Sequence, residues 1–321
     1  MTLQAELERD RALETAIEAL GAAGATVERR RVPLPDARDW ESELQIDSWV
    51  GQYMKNICQH YHEILSAPTI ARLDGVVPAG TPAAIVGAGP SLDKNVEHLR
   101  DFPGLIFCSD RAAVSLTARG IRPDLVVSVD PHLFHVAKML DYPENVDQIL
   151  ALSVCSDPEI SRVWAGSILY MSQIHPGTQF HDIVLPELFP GMPALHCLGN
   201  VGNMAVELAA KLGCGKIVLV GQDYGYTGGK MHADEWAHVT DVICDGDTGR
   251  QTVIPGWERR HTDHAAKLER RTGKVDVDGV TTYAPYLSYR DTLLHVAELW
   301  KLDLVNATEG GILTALPQAR L

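Results

Sequence analysis

Residues 83–91 read AAIVGAGPS, four apolar residues in a row followed by glycines at 87 and 89. A short apolar run without polar alternation suits a strand buried on both faces, as in a parallel sheet. Gly87 and Gly89 let the backbone turn where a Cβ would obstruct it. Pro90 suits the first turn of the helix that follows, and Ser91 or Asp93 can cap it. Free N–H groups at such a helix start attract anions, above all phosphate. The segment lacks the third glycine of GxGxxG and the Gly-Lys-Ser/Thr of a P-loop. It therefore specifies a tight turn with an anion-attracting edge and names no cofactor.

The same alternation continues downstream. Apolar runs at 104–108, 125–129, 149–154, 167–170, 216–220 and 302–306 read as strands. Helical patterns fall at 92–101, 111–119, 132–140, 157–163, 201–212 and 287–300. Strands separated by helices predict an α/β fold, a Rossmann-like, mostly parallel sheet with helices on both faces. Upstream, residues 4–28 and 40–73 read as helices, the second carrying Trp49, Tyr53, Ile57, Tyr61 and Leu65 at i, i+4 spacing. This stripe is read as packing rather than a cofactor box, with a homo-oligomer contact as its other use. The expected division is an N-terminal helical cap over 1–75 and a Rossmann-like domain over 76–321.

The net charge of −14 repels nucleic acid and argues against it as a partner. No apolar run approaches the roughly 18 residues of a membrane span. The polar N-terminus, MTLQAELERD, does not read as a signal peptide, so a cytoplasmic location is expected. Cysteines at 58, 108, 155, 197, 214 and 244 form no CxxC pair and read as reduced residues.

Ligands of parallel sheets bind at the carboxyl ends of the strands. Five predicted strands deliver polar or glycine-rich groups there: GAGPS at 87–91, Ser109-Asp110, Asp130-Pro131, Gly221-Gln222-Asp223-Tyr224, and Asn306 through Gly311 with Thr308, Glu309 and Gly310. Gly199, Asn200 and Asn203 lie in a second Gly/Asn-rich helix start. The loop from Gln222 to His232 adds Tyr226, Lys230 and His232. A tyrosine can stack on a base, Lys230 can neutralise a leaving phosphate, and His232 can serve as general acid or base. Asp110, Asp130 and Asp223 are the candidates to hold Mg²⁺ against phosphates, should the chemistry use it. His261 and His264 are weaker base candidates, and the DGD at 245–247 reads as a turn.

In order, the chain carries GAGPSLDKN, SDRAAVSLTARGIRPDLVVSVDP, GNVGNMAVELAAKLGCGKIVLVGQDYGYTGGKMHAD and NATEGG. Over roughly 50–312 this resembles the motility accessory factors and their relatives with a 6-hydroxymethylpterin diphosphokinase-like (MptE-like) domain. The resemblance implies a nucleotide-dependent group transferase with a sialyltransferase-like core. One implied activity is glycosyl transfer from a CMP-nonulosonic acid donor to an acceptor hydroxyl. The other is Mg²⁺-dependent diphosphate transfer from ATP to a pterin alcohol. By position, Gly87, Gly89, Pro90 and Ser91 match the first glycine motif, and Asp110 and Asp130 the strand-end aspartates. Gly221, Gln222, Asp223, Tyr224 and His232 match the second loop, and Thr308, Glu309 and Gly310 the last. Where sialyltransferase-like enzymes place a histidine base, this chain reads TTYAPYLSYRD. The base is then His232, His261 or His264, or is not a histidine. A non-catalytic nucleotide-binding module is the remaining alternative.

Overall fold

The computed structural model describes residues 40–131, 148–175, 177–230, 232–233, 241–244, 251–254 and 274–321. The helices expected at 4–28 and 132–140, the DGD turn, and His261 and His264 lie outside the described residues.

The first described element is α1 (Trp40–Ser66), followed by a 3₁₀ turn at Ile70–Leu73. Then come β1 (Ala83–Val86), α2 (Leu92–Asn95), β2 (Leu105–Ser109), α3 (Asp110–Ala118) and β3 (Leu125–Ser128). The chain continues through β4 (Ile149–Ser153), α4 (Pro158–Val163), β5 (Ser167–Ile174), α5 (Leu185–Leu188) and β6 (Ala194–His196). α6 (Val201–Lys211) and β7 (Lys216–Val220) follow. Two antiparallel hairpins, β8 (Asp241–Cys244) with β9 (Gln251–Ile254) and β10 (Lys274–Val277) with β11 (Val280–Tyr283), precede α7 (Ala284–Leu299) and β12 (Asp303–Asn306).

Eight strands form one sheet in the order β12-β7-β1-β2-β3-β4-β5-β6, and every pairing is parallel. The chain winds outward from β1 to β6, crosses back, and resumes at β7 on the other side of β1. The strand order therefore reverses between β1 and β7, where α/β sheets open their ligand crevice.

Side-chain alternation along β1 builds the two faces. Ala84 and Val86 join a core with Leu92, Ala112, Leu116 and Ile160. Ala83 and Ile85 join the opposite core with Met204, Leu208, Leu293 and Ala297. Thus α1 to α4 cover one face, and α6 and α7 the other, as the sequence pattern predicts.

The aromatic stripe of α1 is used inside the chain. Tyr53 stacks on Phe180 at 5.5 Å, and Tyr61 lies 5.5 Å from Phe189 and donates to the Leu188 carbonyl at 3.1 Å. Asn56 donates to the carbonyls of Pro131 (2.8 Å) and Cys155 (3.0 Å). Leu65 departs from the stripe: it is exposed and Ile64 is buried in its place. Steps of four residues overrun a 3.6-residue turn, and the non-helical backbone at His60 adds to the drift.

The helix expected over 92–101 is one α-turn, α2, continued as a 3₁₀ helix at Val96–Asp101. The five cysteines among the described side chains are free thiols. Among the described residues, no helix is long and apolar enough to cross a membrane.

Candidate active site at the carboxyl edge

The turns after β1 and β7 form one interlocked unit. Gly87 N–H donates to the Val220 carbonyl (2.8 Å) and Gly89 N–H to that of Gly221 (2.9 Å). The approach explains the glycines. A Cβ on Gly89 would lie 2.0 Å from Asp223 Oδ2, and one on Gly87 2.6 Å from the Gly221 oxygen.

Asp223 turns its carboxylate into this unit. Oδ2 accepts from Ser91 Oγ at 2.6 Å, Ser91 N–H approaches Oδ1 at 3.3 Å, and Thr227 Oγ1 donates to Oδ1. Gly311 N–H donates to Thr227 Oγ1 at 2.9 Å, and Ile312 N–H to the Asp223 carbonyl at 2.9 Å. Asp223 thereby ties the ends of β1, β7 and β12 together. Burial raises its carboxyl above the usual range, and the bonds from Ser91 and Thr227 pull it back. Thr308 joins through its hydroxyl, which accepts from Gln222 N–H at 3.2 Å, and Gly310 packs on Ser91 and Thr227. Pro90 is buried in the turn. Glu309 is exposed, and its carbonyl accepts from Lys94 Nζ at 2.8 Å.

The start of α6 meets the same unit. Asn200 caps it, its Oδ1 accepting from Asn203 N–H at 2.8 Å. The Gln222 amide occupies the space beside Gly202, whose Cβ would lie 2.4 Å from Nε2. Tyr224, at φ 47°, donates from its hydroxyl to Asn203 Oδ1 at 2.5 Å. Gly199, at φ +93°, lies under the ring of Tyr289. Tyr226 N–H donates to the Thr281 carbonyl at 2.8 Å, docking the loop onto β11.

A charged cluster stands beside the first glycine turn. Asp110 opens α3; its oxygens accept from Arg111 N–H (2.7 Å) and Ser128 Oγ (2.9 Å). Burial, and then the nearby Asp130 carboxylate, raise the Asp110 carboxyl to about 6. Arg111 lies 4.0 Å from Asp130 and 3.0 Å from His232 Nε2. A guanidinium only donates, so Nε2 accepts and the imidazole proton sits on Nδ1. Ala233 N–H donates to the Ala88 carbonyl at 3.0 Å, which anchors His232 beside the glycine turn. Lys230 stands at the rim, 3.8 Å from Asp93.

The structure thus collects most of the residues named from sequence into three adjoining groups: the glycine unit with Asp223, the Asp110–Asp130–His232 cluster, and the start of α6 with Tyr224; Lys230 and the Glu309 side chain stay outside them. Arg111, Ser128, Thr227 and Tyr289 belong to these groups and were not singled out by the motifs. Arg111, Ser128 and Tyr289 act through partners remote in sequence, which leaves no local signal, and Thr227 bonds Asp223 within its own loop; the Arg of SDRAAV reads as an ordinary helix residue.

The family model for 6-hydroxymethylpterin diphosphokinase MptE-like proteins matches residues 55–229, more than half of the chain. The chain belongs to the MptE-like family. This MptE-like chain is 27% identical over 173 residues to a 6-hydroxymethyl-7,8-dihydropterin pyrophosphokinase of Methanothermobacter thermautotrophicus. That match covers 48% of this chain and 62% of the relative, so the chain spans less than two thirds of that protein's length. The solved structure of MAf glycosyltransferase from Magnetospirillum magneticum AMB-1 superposes with a TM-score of 0.52 at 20% identity. It covers 77% of this MptE-like chain and 34% of the MAf chain, a likeness of fold.

Proposed function

We propose that the protein is a nucleotide-dependent transferase that moves a sugar from a nucleotide-activated donor to an acceptor hydroxyl. The observation that carries this reading is the placement of His232. Its backbone neighbour Ala233 is tied to Ala88 inside the glycine turn, so an imidazole stands beside the crevice where the strand order reverses between β1 and β7. The motif order and the likeness of fold to the MAf glycosyltransferase support the sugar donor.

The N–H groups of Gly87, Gly89 and Ser91 are taken by Val220, Gly221 and Asp223, so the start of α6 is the element that holds the donor's phosphates, with the glycine turns shaping the crevice beside it. The acceptor hydroxyl loses its proton to His232 Nε2 as its oxygen bonds to the anomeric carbon. The bond from that carbon to the phosphate oxygen breaks, and its electron pair leaves with the nucleoside phosphate. For Nε2 to take the proton, Arg111 must leave it, and the donor's anionic groups offer the guanidinium an alternative partner. Lys230 meets the developing charge at the rim.

A second reading rests on a specific pair. The Asp130 carboxylate raises the cost of ionising Asp110, and a divalent cation between them would relieve it. Two carboxylates plus substrate phosphates are a usual Mg²⁺ donor set. Asp223 suits it less, since Ser91 and Thr227 engage its oxygens. A bound Mg²⁺ would neutralise phosphate charge in a diphosphokinase of the kind named for the Methanothermobacter relative.

Thermal unfolding with CMP, UDP, ADP and ATP, each with and without Mg²⁺, separates the two. A ligand at a hundredfold its Kd adds about 2.7 kcal/mol. Stabilisation by CMP or UDP supports the glycosyl donor. Stabilisation by ATP only with Mg²⁺, and none by CMP or UDP, overturns it in favour of the diphosphokinase.

A further inference from the structure

The stretch TTYAPYLSYRD, which carries no histidine base, forms a wall beside the donor site. Tyr286 and Tyr289, three residues apart, lie along one face of the first turns of α7, and Tyr283 precedes them as the extended residue that ends β11. Their ring centroids form a chain: Tyr283–Tyr286 at 4.4 Å and Tyr286–Tyr289 at 6.1 Å. Tyr226, from the loop after Asp223, joins at 6.3 Å from Tyr283 and 5.9 Å from Tyr286. Four rings from two remote segments converge. Tyr226 is buried behind, while Tyr283 at the end of β11 and Tyr286 and Tyr289 of α7 are only half-buried. Tyr286 and Tyr289 back onto the core and keep part of their surface outside it.

This wall abuts an anion-seeking edge. A Cβ on Gly199 would lie 2.0 Å from Tyr289 Cδ1, and Asn203 Nδ2 donates to the Tyr289 carbonyl at 2.9 Å. Both residues belong to the start of α6. Against Gly202 the Gln222 amide nitrogen is buried with no hydrogen-bond partner, and Gln222 is only 6% exposed. A buried donor and the N–H groups of a helix start call for an acceptor at this spot. An acceptor-seeking edge within one residue's breadth of an aromatic wall matches the two ends of a nucleotide, phosphate and base, which a single sugar separates.

We propose that Tyr283, Tyr286 and Tyr289, backed by Tyr226, are a stacking shelf for the nucleobase of the donor. Tyrosine supplies a large rigid face with few rotamers to freeze. Stacking on it tolerates different bases, so the shelf supplies affinity while hydrogen-bonding groups elsewhere select the base. The inference rests on the nucleotide reading above, and the experiment separates the two.

Calorimetric titration of the full chain with CMP and with ADP is compared for wild type, Tyr286→Phe, Tyr286→Leu and Tyr286→Ala. Loss of one base–aromatic stack lowers affinity roughly 5- to 150-fold. Tyr286→Ala and Tyr286→Leu are expected to show that loss for the nucleotide the wild type binds, with Tyr286→Phe close to wild type. Tyr286→Leu keeps an apolar side chain in place should the alanine variant fail to fold. Wild-type binding that Leu preserves as well as Phe overturns the shelf and leaves the nucleotide reading standing. Equal loss in Phe, Leu and Ala, with a common fall in the unliganded melting temperature, marks a structural prop and also overturns it. A wild type that binds neither nucleotide overturns both.

Discussion

Asp223 is the side chain on which three strand ends depend. Replacing it with alanine leaves Ser91 N–H and Oγ and Thr227 Oγ1 without their acceptor. An unsatisfied buried polar group costs about 1–3 kcal/mol, so Asp223→Ala should lower stability by at least that much in denaturant titration. Activity should fall with the geometry of the turn, since the carboxylate acts on the backbone. A serine at position 89 tests the same joint from the other side, because its Cβ would lie 2.0 Å from Asp223 Oδ2. Gly89→Ser should therefore destabilise by about 1–3 kcal/mol through overpacking. His181 contributes to the pH dependence of stability. Burial, and then the neighbouring His175, push its imidazole down to about 3 from the ordinary 6.5. Tyr53 and Phe180 pack on its ring and Thr178 Oγ1 lies 2.8 Å from Nδ1. Above 6.5 both folded and unfolded forms are neutral there and the group is silent. As pH falls below 6.5 the unfolded form takes a proton that the folded form refuses, so stability is lost until the folded value is reached. The slope is at most about 1.4 kcal/mol per pH unit for one group. His181→Gln should flatten the decline between pH 6.5 and 4.5 in melts across that range. An unchanged slope would place the acid sensitivity elsewhere.

At the scale of elements, the strands that read most clearly are those buried on both faces. β1 and β7 fall where their apolar runs do, because no polar residue interrupts them until the glycine turn. β6 escaped because it has only three residues, ending at His196. Its place comes from pairing with β5, which local pattern does not encode. The hairpin of β10 and β11 escaped for a related reason: its value is to carry Thr281 and Thr282 to Tyr226 and Tyr224, contacts that span more than fifty residues. The carboxyl-edge site was legible because a parallel sheet sends every strand end to one side, whatever the partners. The pairing within it was not: Ser91 with Asp223, Arg111 with His232 and Gly199 with Tyr289 are joined only by the fold. Asn200 is the element-scale test. It caps α6 by accepting from Asn203 N–H, and an alanine there costs about 1 kcal/mol. Asn200→Ala should also weaken binding of whichever nucleotide stabilises the wild type, because the same helix start faces the proposed donor site. Loss of stability without loss of affinity would remove the start of α6 from the donor site.

Over the whole molecule, the question is whether α1 unfolds with the sheet or before it. Its place in the sequence, ahead of the first strand, suggests a cap that can separate. Its contacts point the other way. Tyr53, Ile57 and Ile64 are buried in the same core as Ala84 and Val86 of the central strand. Asn56 fastens α1 to the ends of β3 and β4 through the carbonyls of Pro131 and Cys155. Those strand ends also carry Asp130, so the helix supports one wall of the charged cluster. Shared core and shared hydrogen bonds make local opening of α1 nearly as costly as disrupting the sheet beside it. Truncating an aromatic side chain in such a core costs about 3–5 kcal/mol. Tyr53→Ala should therefore shift the whole urea transition, with far-ultraviolet dichroism and tryptophan fluorescence moving together. It should also weaken nucleotide binding through displacement of the β3 end, although Tyr53 itself touches no ligand in the proposed site. If the two probes separate, with an early phase that Tyr53→Ala enlarges and a late phase that it leaves in place, α1 is an independent cap and its influence on the site disappears with it.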